Sequence, residues 1–566
     1  MPIAEYFASS MWLEAQPIIR RKKMATKIES LEQLRVKTAK VRGVKLKKII
    51  VRILALFIIT SLFVTVKLVA AENPKMGGTL NVGLHIPFAT LDWQSTVGHP
   101  APQVQSNVWE GLYAYGTDFT AAPELAESYQ ASSDGKTWTF KLRKGVLFHN
   151  LKEMTAEDVI ASIKRWQKVG PKGASLETNK IEALDKYTVR LNFKDPIGQT
   201  LLLLLGSDEN KCVIMPKEVA EASPTSGNLT EIIGTGPYKW DEYKEDQYIR
   251  LTKFEEYVSR DDKPNYQTGK KVAYLDQIIF WIVPEYTTRL AGLESGDYDV
   301  ITKIGTADYE RLLSAKDIDP IKKGPANNFY LMFNQQKGPT SKLNIRRAIQ
   351  AAINAEEIMG AAIPNPEFRV LDPSFYPPES AYYNFAGGGL YNQNDVEKAK
   401  EYLKKAGYNG ERITFQSIAT NPVQVRIGVA IVSQLKKAGM NAELLSIDLQ
   451  TWVSNRRNGN VLMMYHSGGN WIDPSLYQPE FNGTFPSVET AFSDPEVDAV
   501  FKKLNQETDF LKRKKHAKEL QRLFHEKVAT YSFGHHYQLT AKRSNVIDPE
   551  GNLARGNLTL NNIGLK

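Results

Sequence analysis

A segment late in the chain, HSGGNWIDP at residues 466–474, combines residue types that suit the binding of a small ligand. Its adjacent glycines let the backbone approach a ligand closely. Asn470 offers an amide, Trp471 an indole face and Asp473 a carboxylate, while Tyr465 and His466 come directly before the glycines. These groups hydrogen-bond, stack and form ion pairs. We interpret these five residues as candidate ligand contacts, with a plain surface loop as the alternative.

The elements before this segment indicate how it is positioned. Residues 412–419 (RITFQSIA) have the pattern of a strand, residues 422–438 that of a helix ended by Gly439, and a second strand follows from Ala442. This order predicts a βαβ unit with parallel strands. A further strand, VLMMY at 461–465, leads into the segment. Because ligands in open α/β sheets bind beyond the carboxyl ends of the strands, the segment is expected at a ligand site.

Motifs of enzymes are missing from the sequence. It contains no Walker loop, no GxGxxG after a strand, no GxSxG and no HExxH. Carboxylate pairs such as Asp297 and Asp299 say little among 63 acidic residues. Neighbouring residues on a strand point to opposite faces, so His535 and His536 are poorly placed to share a metal ion and are expected to be structural. These absences give no sign of an enzyme active site or of a cofactor-binding motif.

Composition and charge narrow the class further. The 566 residues are too many for one core, and 42% hydrophobic with 24% charged residues is ordinary for a soluble globular protein. A single cysteine, Cys212, excludes a disulfide framework. The net charge of +9 invites a nucleic-acid interpretation, but residues 1–71 alone carry +10. The remaining chain is nearly neutral, so no nucleic-acid partner is expected.

The basic N-terminus has the layout of a secretory signal peptide. Lysines and an arginine precede the apolar run ILALFIITSLFVTV at 53–66, and small residues at Val69 and Ala71 suit cleavage before Glu72. The run is short for a bilayer-spanning helix, although an uncleaved anchor remains the alternative. No cysteine stands at the cleavage point, so the prediction is a periplasmic protein without a lipid anchor. The unusually long basic region suggests that translation starts downstream, for example at Met24.

Alternating apolar residues mark strands at 137–142 (TWTFKL) and 187–193 (YTVRLNF), with a helix between them. Thr155 is placed to cap that helix, with Asp158 three residues later as the reciprocal partner. We interpret this region as a small α+β unit.

Several motifs, in order, resemble family 5 of the solute-binding proteins, the oligopeptide, dipeptide and nickel receptors of ABC importers. The turn GTGPY at 234–238 is followed by an alternating strand, and residues 123–166 (PELAESYQASSDGKTWTFKLRKGVLFHNLKEMTAEDVIASIKRW) resemble the family's best-known block. Three further stretches also resemble this family: TTRLAGLESGDYDV, NFYLMFNQQKGPTSKLNIRRAIQAAINAEEI and the helical stretch from Asp494. The resemblance covers about residues 77–566.

The resemblance implies an α/β, two-lobed periplasmic binding protein fold of type II, of the large cluster C type, with an extra small α+β subdomain in lobe I. Expected boundaries are 1–71 for the signal peptide, 77–331 for lobe I with the subdomain at about 109–229, 332–531 for lobe II, and 532–566 for the return to lobe I. The GTGPY turn is expected to be structural. Trp109 is added to the candidate ligand contacts.

The implied function is capture of a peptide or other small polar solute by hinge closure, as a monomer, and its delivery to an ABC permease and ATPase on other chains. In peptide-binding relatives a carboxylate three residues before the Asp-Pro pair holds the ligand's α-amino group, and here that position is Asn470. A neutral amide cannot form that ion pair, so sugars and opine-like ligands stay open beside peptides. The alternatives are an exported hydrolase and a periplasmic chaperone or anchor.

Overall fold

The computed structural model describes residues 73–566 except 86–89, 91, 96–100, 175, 207–210, 228, 469–472, 478–491, 493 and 557. The apolar run at 53–66 and the expected cleavage point after Ala71 lie outside the described residues. Of the helices in the described part of the chain, none has the length and apolar character needed to cross a membrane.

Strands and helices alternate along most of the chain. The strands are β1 (Thr79–Leu84), β2 (Tyr113–Tyr115), β3 (Ala121–Pro123), β4 (Ala126–Ala131), β5 (Thr137–Leu142), β6 (Thr178–Asp185), β7 (Thr188–Phe193), β8 (Tyr238–Lys244), β9 (Tyr248–Lys253), β10 (Gln277–Ile282), β11 (Val300–Ile304), β12 (Ile318–Phe333), β13 (Arg369–Val370), β14 (Ile413–Ile418), β15 (Ala442–Ile447), β16 (Met463–Gly468), β17 (Thr530–Arg543), β18 (Val546–Ile547) and β19 (Gly564–Leu565). The α-helices are α1 (Ala101–Gln105), α2 (Ala156–Val169), α3 (Pro171–Ala174), α4 (Thr200–Gly206), α5 (Lys217–Ala222), α6 (Tyr286–Ser295), α7 (Tyr309–Leu313), α8 (Leu343–Ala352), α9 (Ala355–Ala362), α10 (Val396–Ala406), α11 (Pro422–Lys437), α12 (Leu449–Arg457), α13 (Pro495–Gln506) and α14 (Phe510–Lys527).

One long mixed sheet runs through both lobes, in the order β15-β14-β16-β12-β17-β11-β1-β10-β9-β8, with β13 paired to β17. Strands β12 and β17 pair antiparallel along most of their length and belong to both lobes. The fold is the expected two-lobed α/β architecture, with these two strands as the crossover.

The first lobe packs around β1, β10 and the neighbouring strands, with a core that includes Leu80, Val82, Phe280 and Leu560. The second lobe packs α8, α9 and α11 against β12, β14 and β16, and its core includes Phe329, Leu331 and Phe415. Apolar burial on this scale is the main stabilising term of both lobes.

The crossover strand β12 contributes to both cores, and the lobe boundaries at 331/332 and 531/532 stay predictions. Ile321 packs with the first-lobe core, whereas Phe329 and Leu331 are already part of the second-lobe core. The register shifts between Lys323 and Asn327. Phe533, on the returning strand β17, packs in the second-lobe core.

The small α+β unit forms as predicted. Strands β4, β5, β7 and β6 make an antiparallel sheet in that order, and α2 covers it with Val159, Ile163 and Trp166 in the shared core. The capping box is also confirmed, since the backbone N–H of Thr155 donates to Asp158 Oδ2 at 2.8 Å.

The predicted βαβ unit is confirmed too. Strands β14 and β15 pair in parallel from Ile413↔Ala442 to Ile418↔Ile447, and α11 joins them. Asn421 caps α11 by accepting from the N–H groups of Val423 and Gln424.

The GTGPY turn lies against the segment that enters the small unit. A Cβ on Gly234 would lie 2.1 Å from the carbonyl oxygen of Val108, and one on Gly236 would lie 2.6 Å from that of Asn107. Thr235 between them donates to the buried carboxylate of Glu110 at 3.0 Å. The glycines are therefore required by close backbone packing, and the turn is structural in this structure.

Candidate functional site

The parallel strands of both lobes end at the crossover. In the second lobe β14 is parallel to β15 and β16, and the end of β16 pairs with the crossover strand at Gly468↔Asn328. In the first lobe β1 is parallel to β10 and β11, and the end of β11 meets the other crossover strand at Ile304↔Leu539. Because ligands bind beyond the carboxyl ends of such strands, the space between the lobes at the crossover is the candidate site.

In the second lobe, the strand that leads into the candidate segment continues farther than predicted. The strand runs to Gly468, beyond its expected end at Tyr465, and the backbone of His466 pairs with Tyr330. Asn470 and Trp471 lie outside the described residues. Tyr465 is 7% exposed and packs edge-to-face on Phe329, with 5.0 Å between ring centroids. Most of its ring therefore lies in the second-lobe core.

Asp473 has a partner within the protein. It is fully buried, and Nη2 of Arg513 donates to both of its oxygens at 2.8 Å. Oδ1 also accepts from the backbone N–H of Ser475. Burial opposes the charge of Arg513, but Asp473 and Tyr382 outweigh burial and raise the pKa of the guanidinium. Asp473 therefore takes part in an internal ion pair, and its expected ligand role stays a prediction.

Trp109, the remaining candidate ligand contact, is buried. Its side chain is 1% exposed, and the indole N–H donates to the carbonyl of Ile233 at 3.0 Å. The ring lies close to Gly234 of the GTGPY turn. Trp109 therefore belongs to the first-lobe core.

A cavity of about 250 Å³ opens at the crossover, between residues of the small unit, both crossover strands, the second lobe and the C-terminal part of the first lobe. Its lining residues are Phe119, Lys322, Gly324, Glu379, Tyr537, Ala554 and Arg555. The cavity thus offers an aromatic face together with charges of both signs.

Glu379 is the acidic group of this cavity. Its carboxylate hydrogen-bonds the hydroxyl of Tyr537, and Oε2 is buried without a hydrogen-bond partner among the described residues. Burial and the charge of Glu379 raise the pKa of Tyr537. The Lys322 ammonium lies 4.1 Å from the centroid of the Tyr537 ring, a cation–π distance. An unpaired buried carboxylate oxygen is costly unless a donor reaches it, so this oxygen suits a ligand N–H or O–H.

A second group of polar residues lies where β11 meets β17. Lys303 has a left-handed φ of 57°, and desolvation lowers the pKa of its ammonium group. Burial and the charge of Lys303 lower the pKa of His536 to about 3, so the imidazole is neutral at physiological pH. His536 packs on Phe329 at 4.1 Å between ring centroids.

His535 is fully buried and makes a hydrogen bond to the carbonyl of Ser374 at 3.0 Å through Nε2. The expectation that the histidine pair is structural agrees with this contact. Among the described residues, no group of three or more His, Cys, Asp or Glu side chains is arranged to hold a metal ion.

Sequence reasoning missed the cavity. Lys322, Glu379 and Tyr537 come from three distant parts of the chain, and none stands in a motif. The one indirect signal in the sequence is Gly324, which follows two lysines. The structure gives a reason for this glycine, since a Cβ there would lie 3.0 Å from Oε1 of Glu379.

Comparison with known proteins agrees with this architecture. Residues 120–487 match the family model of the bacterial extracellular solute-binding proteins, family 5. The chain is 27% identical over 400 residues to y4tO of Sinorhizobium fredii, named a probable peptide ABC transporter periplasmic-binding protein, covering 69% of this chain and 73% of that protein. It is 27% identical over 449 residues to haem-binding protein A of Haemophilus influenzae, covering 73% and 78%.

The crystal structure of the ABC transporter substrate-binding protein CtaP from Listeria monocytogenes superposes with a TM-score of 0.75 at 21% identity, covering 87% of this chain and all of that one. This similarity confirms the fold. Since the family model spans most of the chain and the sheet order is that of a two-lobed receptor, the chain belongs to family 5 of the bacterial extracellular solute-binding proteins.

Proposed function

We propose that this protein captures a peptide or another small polar solute between its lobes and delivers it to an ABC permease and ATPase on other chains. The observation that carries the proposal is the convergence of the parallel strands of both lobes on one crossover, beside a cavity with charges of both signs. A ligand that contacts both lobes selects the closed arrangement. The protein acts as a monomeric receptor without catalysis.

The ligand contacts proposed from sequence are Tyr465, His466, Asn470, Trp471 and Asp473, on and just after β16, together with Trp109. One relative is named for a peptide and another for haem, so membership of the family leaves the solute open. Asn470 is neutral, and Asp473 is engaged by Arg513. We therefore propose that the site does not depend on an ion pair with a free α-amino group, which leaves peptides, sugars and opine-like solutes as candidates.

The test is a thermal-shift screen of the purified protein against free-amine peptides, N-acetylated peptides and a metabolite library, followed by calorimetry. We expect one bound solute per protein, and affinities for a free and an N-acetylated tripeptide that agree within about fivefold, because a neutral hydrogen bond contributes only about 1 kcal/mol. Loss of binding on acetylation would contradict this. Glu379→Gln, with the exposed Glu401→Gln as control, would then show whether Glu379 holds the amine.

We further propose that the protein is exported to the periplasm by the signal at 53–66, is cleaved after Ala71 and carries no lipid. N-terminal sequencing of the periplasmic fraction should start at Glu72. Recovery of the intact apolar run in the membrane fraction would instead support the anchor.

A further inference from the structure

A second contact between the lobes lies away from the cavity. It joins residues 198–200 of the small unit, just before and at the start of α4, to the connection between α13 and α14 of the second lobe. The backbone N–H of Gly198 donates to the carbonyl of Asn505 at 2.6 Å, and that of Gln199 donates to Glu507 at 3.1 Å. Two backbone hydrogen bonds therefore link the lobes directly.

Arg513 of α14 adds a side chain to this contact. Its Nη1 donates across the lobes to Thr200 Oγ1 at 3.1 Å and, within the second lobe, to the carbonyl of Leu504 at 2.6 Å. Its Nη2 holds Asp473, and the guanidinium is fully buried. One cation thus contacts the first lobe and also fixes the residue that follows the proposed ligand segment at 466–472.

Gly198 makes the close approach possible. A Cβ at this position would lie 2.1 Å from the carbonyl oxygen of Glu507 and 2.6 Å from its carbonyl carbon. The φ of Gly198 is outside the left-handed region, so its backbone conformation suits any residue. A side chain at residue 198 is therefore excluded by the opposite lobe rather than by its own lobe.

We infer that residues 198–200, 505, 507 and Arg513 form a latch that holds the lobes together in a fraction of the molecules before any solute arrives. Opening the lobes breaks three hydrogen bonds, one of them from a charged donor, and separates surfaces that are buried here. Arg513 is a positioning residue in this scheme, because it connects lobe contact to the placement of Asp473. The latch goes beyond the proposed function, since it operates without a ligand.

Spin labels on either side of the latch measure lobe contact directly. Leu184 of the small unit and Leu511 of α14 are 43% and 64% exposed, so cysteines introduced there accept a label. The native Cys212 is buried, and burial raises the pKa of its thiol, so it stays unlabelled. Double electron–electron resonance on the ligand-free protein should show two populations, one of them at the short separation of the structure.

Gly198→Ala should abolish the short-distance population while the melting temperature stays close to that of the parent. Gly389→Ala is the matched control, because a Cβ there meets no atom within 4 Å and its φ is not left-handed. Thr200→Val removes the acceptor and leaves Arg513 bonded to Leu504, and should lower the ratio of contacting to separated molecules by about tenfold.

A parent protein that shows only long distances would overturn the inference, as would a Gly198→Ala variant that keeps the short-distance population. A Gly198→Ala variant that fails to fold would overturn it as well, since the contact would then belong to the fold of one rigid body. If the parent shows both populations, an unchanged ratio of contacting to separated molecules in Thr200→Val would also overturn the inference. Failure of the proposed function is distinguishable, because it would appear in the solute screen and leave these distances unaffected.

Discussion

His149 should make the protein sensitive to acid through the GTGPY turn. Its Nδ1 accepts from the backbone N–H of Gly234 at 3.2 Å, and its Nε2 donates to the carbonyl of Gly236 at 3.0 Å. Both bonds require the neutral ring with the proton on Nε2. Burial lowers the pKa of His149 from 6.5 to about 4, so protonation would break the bond to Gly234 and charge a buried ring.

The sign and size of this effect of pH on stability follow from the pKa values of His149 in the unfolded and folded chain. The unfolded chain binds a proton near pH 6.5 and the folded chain only near pH 4, so this contribution to stability is complete above pH 6.5 and is lost as the pH falls toward 4. Below pH 4 this contribution to stability does not change further. Between pH 7.5 and 4.5 the loss is about 2.6 kcal/mol of the free energy of unfolding.

Urea unfolding at pH 7.5 and 4.5 measures this loss. His149→Gln cannot be protonated, so its free energy of unfolding should fall by about 2.6 kcal/mol less than that of the parent over this interval. His516→Gln, at a partly exposed helix position where burial lowers the pKa of the imidazole less, is the comparison and should recover a smaller part of the loss. An equal loss in the parent and in His149→Gln would refute the assignment of a neutral, hydrogen-bonded His149.

Three further substitutions test other parts of the structure. Gly234→Ala should destabilise the protein by about 2–4 kcal/mol in urea unfolding, because its Cβ would overlap the carbonyl of Val108; an unchanged midpoint would contradict the close packing. Asp473→Asn should cost about 3–5 kcal/mol, because it leaves Arg513 buried without its counter-charge; a neutral effect would mean that water reaches the pair. Asn470→Asp should strengthen calorimetric binding of free-amine tripeptides by roughly tenfold and leave N-acetylated ones unchanged; equal changes for both would remove Asn470 from the amine site.

Local patterns predicted the parts of the fold that depend on local chemistry. The capping box at Thr155, the helix from Pro422 to Lys437 and the parallel pairing of its flanking strands were all readable, because propensity, caps and apolar periodicity pointed the same way. The glycines of the GTGPY turn were likewise assigned to structure, and the carbonyls of Val108 and Asn107 now give the reason.

The site was less predictable because its contacts are distant in sequence. Asp473 stands in a segment whose composition suits ligand binding, and only the fold brings Arg513, 40 residues later, against it. Glu379 and Tyr537 meet for the same reason. Trp109 looked useful for stacking, yet an aromatic residue is buried more often than it contacts a ligand.

The proposed function requires that a solute is held between two lobes that close on it. Small-angle X-ray scattering during titration with the tightest solute of the screen, beginning with trialanine, tests it most directly. We expect the radius of gyration to fall and to reach a plateau at one equivalent, because the solute converts the remaining separated molecules to the closed arrangement. If calorimetry shows the protein saturated while the radius of gyration stays constant, capture by lobe closure is contradicted.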